Sequence, residues 1–304
     1  MFLSLSADVL VMDMPDLETF HIKRSKTHPV HYIYVFHSMF SVHSYLRKGA
    51  VDNFDTIFCV GPHHVKEIRA AEDVYGLKTK NLIEYGYVRL DTLLEETSTL
   101  RQKISVNDNK KHIIIAPSFG VDSLLETKSL QIIKILLDAQ CHVTVRPHPI
   151  TTRKSPHIIK KIKDNFQDNP DFILETDISS YDSFYASDCM ISDWSGVSME
   201  YAFALEQPVL FVDVPKKINN PNFEDIHCEP IEINIRKQIG DIISPDQLDN
   251  ISEKINSLLE NLDKFKKQIK EIRSKTVYNI GRSRIVGAKH IVKIADECKA
   301  INKF

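Results

Sequence analysis

The sequence predicts an α/β protein of two domains, each built on a parallel sheet. Short apolar runs at 31–36, 56–60, 112–116, 142–145 and 209–212 alternate with amphipathic stretches of helical period. Polar residues, glycine and proline gather just past several of these runs, where open parallel sheets bind ligands. The chain has 304 residues, enough for two ordinary domains, and a polar stretch without periodicity at 105–111 offers a linker. The expected domains are therefore 1–105 and 106–304.

Taken in order, strands are expected at 9–12, 31–36, 56–60 and 81–85, the first of them buried. Helices fall at 62–75, with Pro62 in the first turn and Gly76 as the stop, and at 91–103. A strand starting so near Met1 suggests that the first domain is incomplete, since a full Rossmann-like domain usually has more strands. Beyond 111 the alternation is cleaner. Strands at 112–116, 142–145, 172–174, 189–192 and 209–212 alternate with helices at 127–139, 157–165, 181–186 and 197–205. The pattern loosens past Pro215, with a loop carrying Asn219, Asn220 and Pro221 and helices at 245–274 and 283–299.

Composition narrows the function. Apolar residues make up 42% and charged residues 26%, as in globular proteins, and the net charge of −2 argues against a nucleic-acid binder. Five scattered cysteines contain no C-x-x-C pair; they read as thiols in a reducing compartment, three of them buried in strands. No apolar run has the length of a membrane span, and the first residues lack a clear signal peptide; peripheral membrane attachment needs neither. There is no Walker A sequence, no G-x-G-x-x-G and no G-x-S-x-G elbow around Ser195.

Five clusters carry chemistry. His37-Ser38-Met39-Phe40-Ser41-Val42-His43 follows a strand, and either histidine is a candidate general base; a surface or structural histidine is the plainer reading. In Gly86-Tyr87-Val88-Arg89-Leu90-Asp91 the glycine permits a tight turn, Asp91 can cap the next helix, and Arg89 can reach a phosphate. Pro117 and Ser118 lie in a small-residue loop after a strand. Arg146-Pro147-His148-Pro149 is a stiff strand exit with two potential phosphate contacts. Asp193-Trp194-Ser195-Gly196 opens a helix, so hydroxyls, free backbone N–H groups and the positive helix end meet at one point suited to a phosphate. Glu200, one turn on, can accept from ribose hydroxyls. His63-His64 with Glu67 has no evident third metal ligand and reads as a solvated helix start.

These motifs, in this order, resemble the CDP-glycerol glycerophosphotransferase family, bacterial polymerases and primases of teichoic-acid and capsule polymers. The likeness runs from about residue 7 to 289 and rests on His37 to Ser41, Gly86/Arg89/Asp91, Pro117-Ser118, Arg146/His148/Pro149, Asp193-Trp194-Ser195-Gly196 with Glu200, and Gly281/Ser283/Arg284. Gly196 stands where the family has a second serine, and His37-Ser38-Met39 where it usually has His-Gly-Thr. The resemblance implies a GT-B-like fold of two Rossmann-like domains facing a cleft. It implies transfer of an alditol phosphate from a CDP-alditol to a hydroxyl of a cell-surface polymer or its primer, with CMP leaving. By the same resemblance His37 is the base, and Arg146 and His148 hold the diphosphate, His148 protonating or neutralising the departing CMP. Ser195 and Gly196 stabilise charge, Glu200 fixes the ribose, and Arg89 contacts phosphate, with Ser38, Ser41, Asp91, Pro117, Ser118 and Asp193 completing the substrate-binding set. No metal or cofactor is required. The acceptor is a polyol phosphate or glycan-lipid, and the place is the cytoplasm, with peripheral contact at the inner face of the plasma membrane. A UDP-sugar glycosyltransferase or epimerase, and a non-catalytic nucleotide-binding protein, are the alternatives.

Overall fold

The computed structural model describes residues 3–100, 110–177 and 179–301. Among these, two parallel sheets form. Strands β1 (Val9–Met12), β2 (His31–Val35), β3 (Thr56–Cys59) and β4 (Asn81–Glu84) lie in the order β1-β2-β3-β4. Strands β5 (His112–Ile115), β6 (His142–Val145), β7 (Phe172–Leu174), β8 (Cys189–Ser192), β9 (Val209–Val212) and β10 (Gly240–Ile243) lie in the order β10-β9-β8-β5-β6-β7. The pairing is parallel throughout, with Ile33 opposite Val11 and Thr56, and Ile115 opposite Val145 and Ile191. The α/β class and the parallel sheets are as the sequence predicts.

The chain divides into two compact units. Unit 1 comprises residues 1–92, 218–233 and 273–304, and unit 2 comprises 93–217 and 234–272. The division differs from a single cut at 105, because the chain returns to unit 1 twice after building most of unit 2. Residues 105–109 of the expected linker lie outside the described residues, as do 101–103 of the expected helix.

The core of unit 1 explains one return. Ile33, Phe58 and Tyr85 on the sheet side pack with Ile294, and Ile291 and Cys298 press on the same cluster. The helix Ser283–Ile301 thereby covers this sheet, and each aliphatic side chain so buried contributes about 1.5–3 kcal/mol. β1 is present but sits at the sheet edge and is half-exposed, not buried as expected. In unit 2 the apolar helix Val197–Leu205 is buried on all sides, as its lack of a polar face dictates. The helix Leu124–Asp138 buries Leu124, Leu125, Ile132, Ile133 and Leu136.

Several elements depart from expectation. β10 was not anticipated. It opens at Gly240, where a Cβ would fall 1.7 Å from the Val209 carbonyl oxygen, so only glycine permits this strand approach. The expected helix over 245–274 is broken at Asn261 into Ile251–Glu260 and Leu262–Thr276. Cys59, Cys141 and Cys189 are buried as expected, and burial pushes the Cys59 and Cys189 thiols up to about 12. No helix among the described residues is long and apolar enough to cross a membrane.

Asp91 has a different task from the helix cap assigned to it. The helix begins at Val88, so Asp91 lies inside its first turn. Its carboxylate is buried and accepts from Gly281 N at 2.6 Å and Ser283 N at 2.8 Å, capping the helix that starts at Ser283. Ser283 Oγ in turn accepts from Tyr87 N at 3.1 Å. Gly86 makes room for this junction. Its φ is +103°, and a Cβ there would lie 2.4 Å from Tyr278 O and Ser283 Oγ. Two motifs almost 200 residues apart are thus one structural joint within unit 1. Asp91→Ala is expected to destabilise unit 1 by about 1–3 kcal/mol for each N–H left without an acceptor. Urea unfolding measures the loss, and hydrogen exchange should show it concentrated at 281–290; unchanged exchange there would remove Asp91 from this role.

Candidate functional site

Strand β5 is the middle of the unit 2 sheet. From it the chain runs outward to β6 and β7, then crosses to the other side for β8, β9 and β10. The loops after β5 and β8 therefore diverge, leaving a crevice at the carboxyl ends of these strands. Asp193 bridges that crevice. Its buried carboxylate accepts from Ser118 N at 2.6 Å and Ser118 Oγ at 3.1 Å, and from Leu124 N at 3.0 Å. Burial raises its pKa, while the N–H and O–H donors pull the other way. Asp193 and Ser118, expected as substrate contacts, thus spend their polar atoms on each other and on the start of the helix Leu124–Asp138. Buried Pro117 leads into this clasp.

The turn after Asp193 is fixed from beneath. Trp194 Nε1 donates to Val214 O at 2.9 Å, and the Arg236 guanidinium stacks 4.1 Å from the indole. Arg236 is buried and donates from Nη1 to Asp213 Oδ1 at 2.8 Å. Ser198 Oγ donates to Ser195 O at 2.8 Å, closing the first turn of Val197–Leu205. Ser195, Gly196 and the helix start thus form a rigid N-terminal corner, and Glu200 is buried one turn along. Such a corner is suited to an anion.

Arg146 and His148 leave β6 side by side but behave differently. Arg146 is buried and gives Nη1 to Glu175 Oε2 at 2.8 Å and to Ser180 O at 2.8 Å, with the Tyr181 ring 5.0 Å away. Expected as a phosphate contact, it instead has a carboxylate partner in the scaffold. His148 caps the helix Pro149–Lys154 by accepting Ile150 N–H at Nδ1, 3.1 Å away. Burial first, and then Lys217, lower its pKa to about 4. The ring is therefore neutral at pH 7 with its proton on Nε2, a hydrogen-bond donor with no net charge.

Lys217 itself was not singled out in the sequence. It is half-buried, with Nζ 3.0 Å from the Phe119 ring centroid, and Phe119 also lies 4.5 Å from the His148 ring. Burial lowers the Lys217 pKa to about 8, with Asp193 and Glu126 opposing. The only local signal is a lysine pair after a proline, which reads as an ordinary exposed loop.

Unit 1 separates the two candidate histidines. His37, past the end of β2, is exposed; its Nε2 lies 3.5 Å from Tyr45 Oη, and Tyr87 Oη donates to its carbonyl at 2.9 Å. His43 is buried, with Nδ1 3.1 Å from Glu67 Oε2 and Nε2 2.8 Å from Cys228 O. Glu67 also accepts Val42 N–H at 2.6 Å. His37 is the histidine open to a substrate. Ser38 accepts Phe40 N–H at 3.2 Å, and buried Ser41 gives its N–H to Glu232 and accepts from Ile231 N, so both serve the loop. His63 and His64 are not a solvated helix start: both are turned into the fold, their Nε2 atoms 2.9 and 2.8 Å from Met39 O and Phe40 O. Arg89 is exposed at the start of its helix. Among the described residues no three His, Cys, Asp or Glu side chains gather to hold a metal ion.

Residues 2–217 match the model of the family described as CDP-glycerol:poly(glycerophosphate) glycerophosphotransferase. Among solved structures, the wall teichoic acid polymerase TagF soaked with CDPG aligns with a TM-score of 0.55 at 18% identity, over 96% of this chain and 72% of that one. A substituted form of TagF gives 0.54 at 18% identity, over 96% and 74%. A glycosyltransferase from Rickettsia africae aligns at 0.47 and 14% identity, over 92% and 72%. No curated protein matches the chain. The TagF likeness extends over both units and agrees with a GT-B-like α/β fold.

The His43–Glu67 pair yields a pH signature. Burial works against the imidazolium, but the Glu67 hydrogen bond and charge, the Cys228 carbonyl and Glu232 outweigh it, so the pKa is raised. Its stabilisation is therefore full below the unfolded value of about 6.5 and fades as pH rises through the folded value. Glu67→Gln is expected to cost more unfolding free energy near pH 6 than near pH 9. Equal cost at both would show that the ring stays neutral.

Proposed function

The chain belongs to the CDP-glycerol:poly(glycerophosphate) glycerophosphotransferase family, and from that membership we propose that it moves an alditol phosphate from a CDP-alditol to a hydroxyl of a cell-surface polymer or its primer. The observation that carries this reading is the family match over 2–217, which takes in His37 and the whole β5–β8 crevice. Glycerol phosphate is the simplest group to be moved.

In this proposal the crevice of unit 2 holds the donor. The Ser195–Gly196 corner and the helix start receive diphosphate oxygens, and neutral His148 donates to them from Nε2. Glu200 accepts from the ribose hydroxyls. His37 takes the proton of the acceptor hydroxyl as its oxygen attacks the distal phosphorus. The bond between that phosphorus and the bridging oxygen breaks, and CMP leaves with the electron pair. Arg89 adds a guanidinium for phosphate. Arg146 acts through Glu175, holding the strand exit that presents His148. Positive charge and backbone N–H groups from the protein stabilise the transferring group, and no metal ion or cofactor enters the scheme. The acceptor, a polyol phosphate or glycan-lipid, brings the enzyme to the inner face of the plasma membrane.

The test is a thermal-shift series with CDP, UDP, GDP and CMP, followed by CMP release from CDP-glycerol in the presence of a polyol-phosphate acceptor. CDP should raise the melting point most, because a ligand that binds only the folded state stabilises it by mass action. His37→Ala should lower CMP release by about 100-fold or more and leave the CDP shift intact. Near-normal turnover in that variant would sink the base assignment, and a larger shift with UDP would move the donor to a UDP-sugar.

A further inference from the structure

We propose that Lys217, held over the Phe119 ring, is the cation that pairs with the donor's diphosphate in unit 2. The proposal rests on the reading of unit 2 as a nucleoside diphosphate site. Lys217 follows β9 by five residues, and Phe119 lies in the loop that follows β5. The ammonium sits 3.0 Å from the ring centroid, a cation–π contact that fixes its place. His148 stacks near the same ring at 4.5 Å, so the imidazole donor and the lysine share one aromatic platform.

The surrounding charges leave this ammonium open. Asp193 and Glu126 are the carboxylates that act on it. The Asp193 oxygens already accept from Ser118 and Leu124, and those of Glu126 accept from Ser123 Oγ and from Thr151 Oγ1 at 3.0 Å. Among the described residues both carboxylates act on Lys217 through charge alone, without a direct ion pair. A half-buried ammonium loses hydration, and without a direct counter-ion the Phe119 face and the more distant Asp193 and Glu126 restore only part of that loss. An arriving phosphate would restore it. His148 is neutral at pH 7 and adds no repulsion to the lysine. Arg146 and Arg236 are engaged by Glu175 and Asp213, whereas Lys217 has no carboxylate in direct contact.

Isothermal titration with CDP, UDP and inorganic pyrophosphate tests this on the full chain, with Lys217→Met and Lys217→Arg beside the wild type. Lys217→Met is expected to weaken CDP and pyrophosphate about tenfold or more, and Lys217→Arg by about threefold or less. Between about pH 7 and pH 9.5 the wild type should lose CDP affinity as the ammonium deprotonates, whereas the arginine variant should not. A melting curve for each variant confirms that it folds. Lys217→Met binding all three ligands within about twofold of wild type would overturn the proposal, as would a wild type that binds none of them. A preference for UDP over CDP would overturn the CDP-alditol reading alone, and the lysine is then judged on UDP and pyrophosphate.

Discussion

The carboxylate of Asp193 is the interaction on which unit 2 depends. A parallel sheet whose strand order reverses at its middle strand sends two loops to opposite sides, and past the Ser192 Oγ–Ala116 O hydrogen bond at 2.7 Å a further contact must draw them together. Asp193 does so by accepting three hydrogen bonds, two from Ser118 and one from Leu124. The cost of burying a carboxylate is offset by those donors. The same contact starts the helix Leu124–Asp138 and sets the depth of the crevice beside the Ser195–Gly196 corner.

The positive groups described around the unit 2 crevice divide into two kinds. Arg146 and Arg236 are buried, paired with Glu175 and Asp213, and stacked on aromatic rings; they stiffen the exits of β6 and β8. Their planar, permanently charged heads suit this scaffold work. Among the groups described at the crevice, backbone N–H groups at a helix start, the neutral His148 imidazole and Lys217 are placed to meet an anion. That set supplies hydrogen-bond direction from the backbone and the imidazole, and charge from a lysine held over an aromatic ring.

How far the sequence revealed this can be traced residue by residue. The central strands were legible because strands buried on two faces are almost continuously apolar, as in Ile113-Ile114-Ile115 and Val209-Leu210-Phe211-Val212. β10 was not legible, since Gly240-Asp241 breaks the apolar run and the glycine is required by a strand that is distant in sequence. The start of the helix at Leu124 was read three residues late because its cap comes from Asp193, about 70 residues on. Asp91 was read as a local cap for the same reason in reverse. His37 and His43 have equivalent local settings. What distinguishes them is residues 218–233 folding back, with the Cys228 carbonyl closing over His43. Lys217 had no local signal, because its role depends on a ring from a different strand exit.

The late return of the chain has a consequence for how the protein is made. The strands of unit 1 leave the ribosome before unit 2, but Ile291 and Ile294, which seal Phe58 and Tyr85, follow it. During synthesis this sheet must wait with an apolar face uncovered while the whole of unit 2 is produced. The nascent chain therefore carries an aggregation-prone apolar face on the unit 1 sheet until the helix Ser283–Ile301 emerges, and a stop before that helix leaves the sheet uncovered.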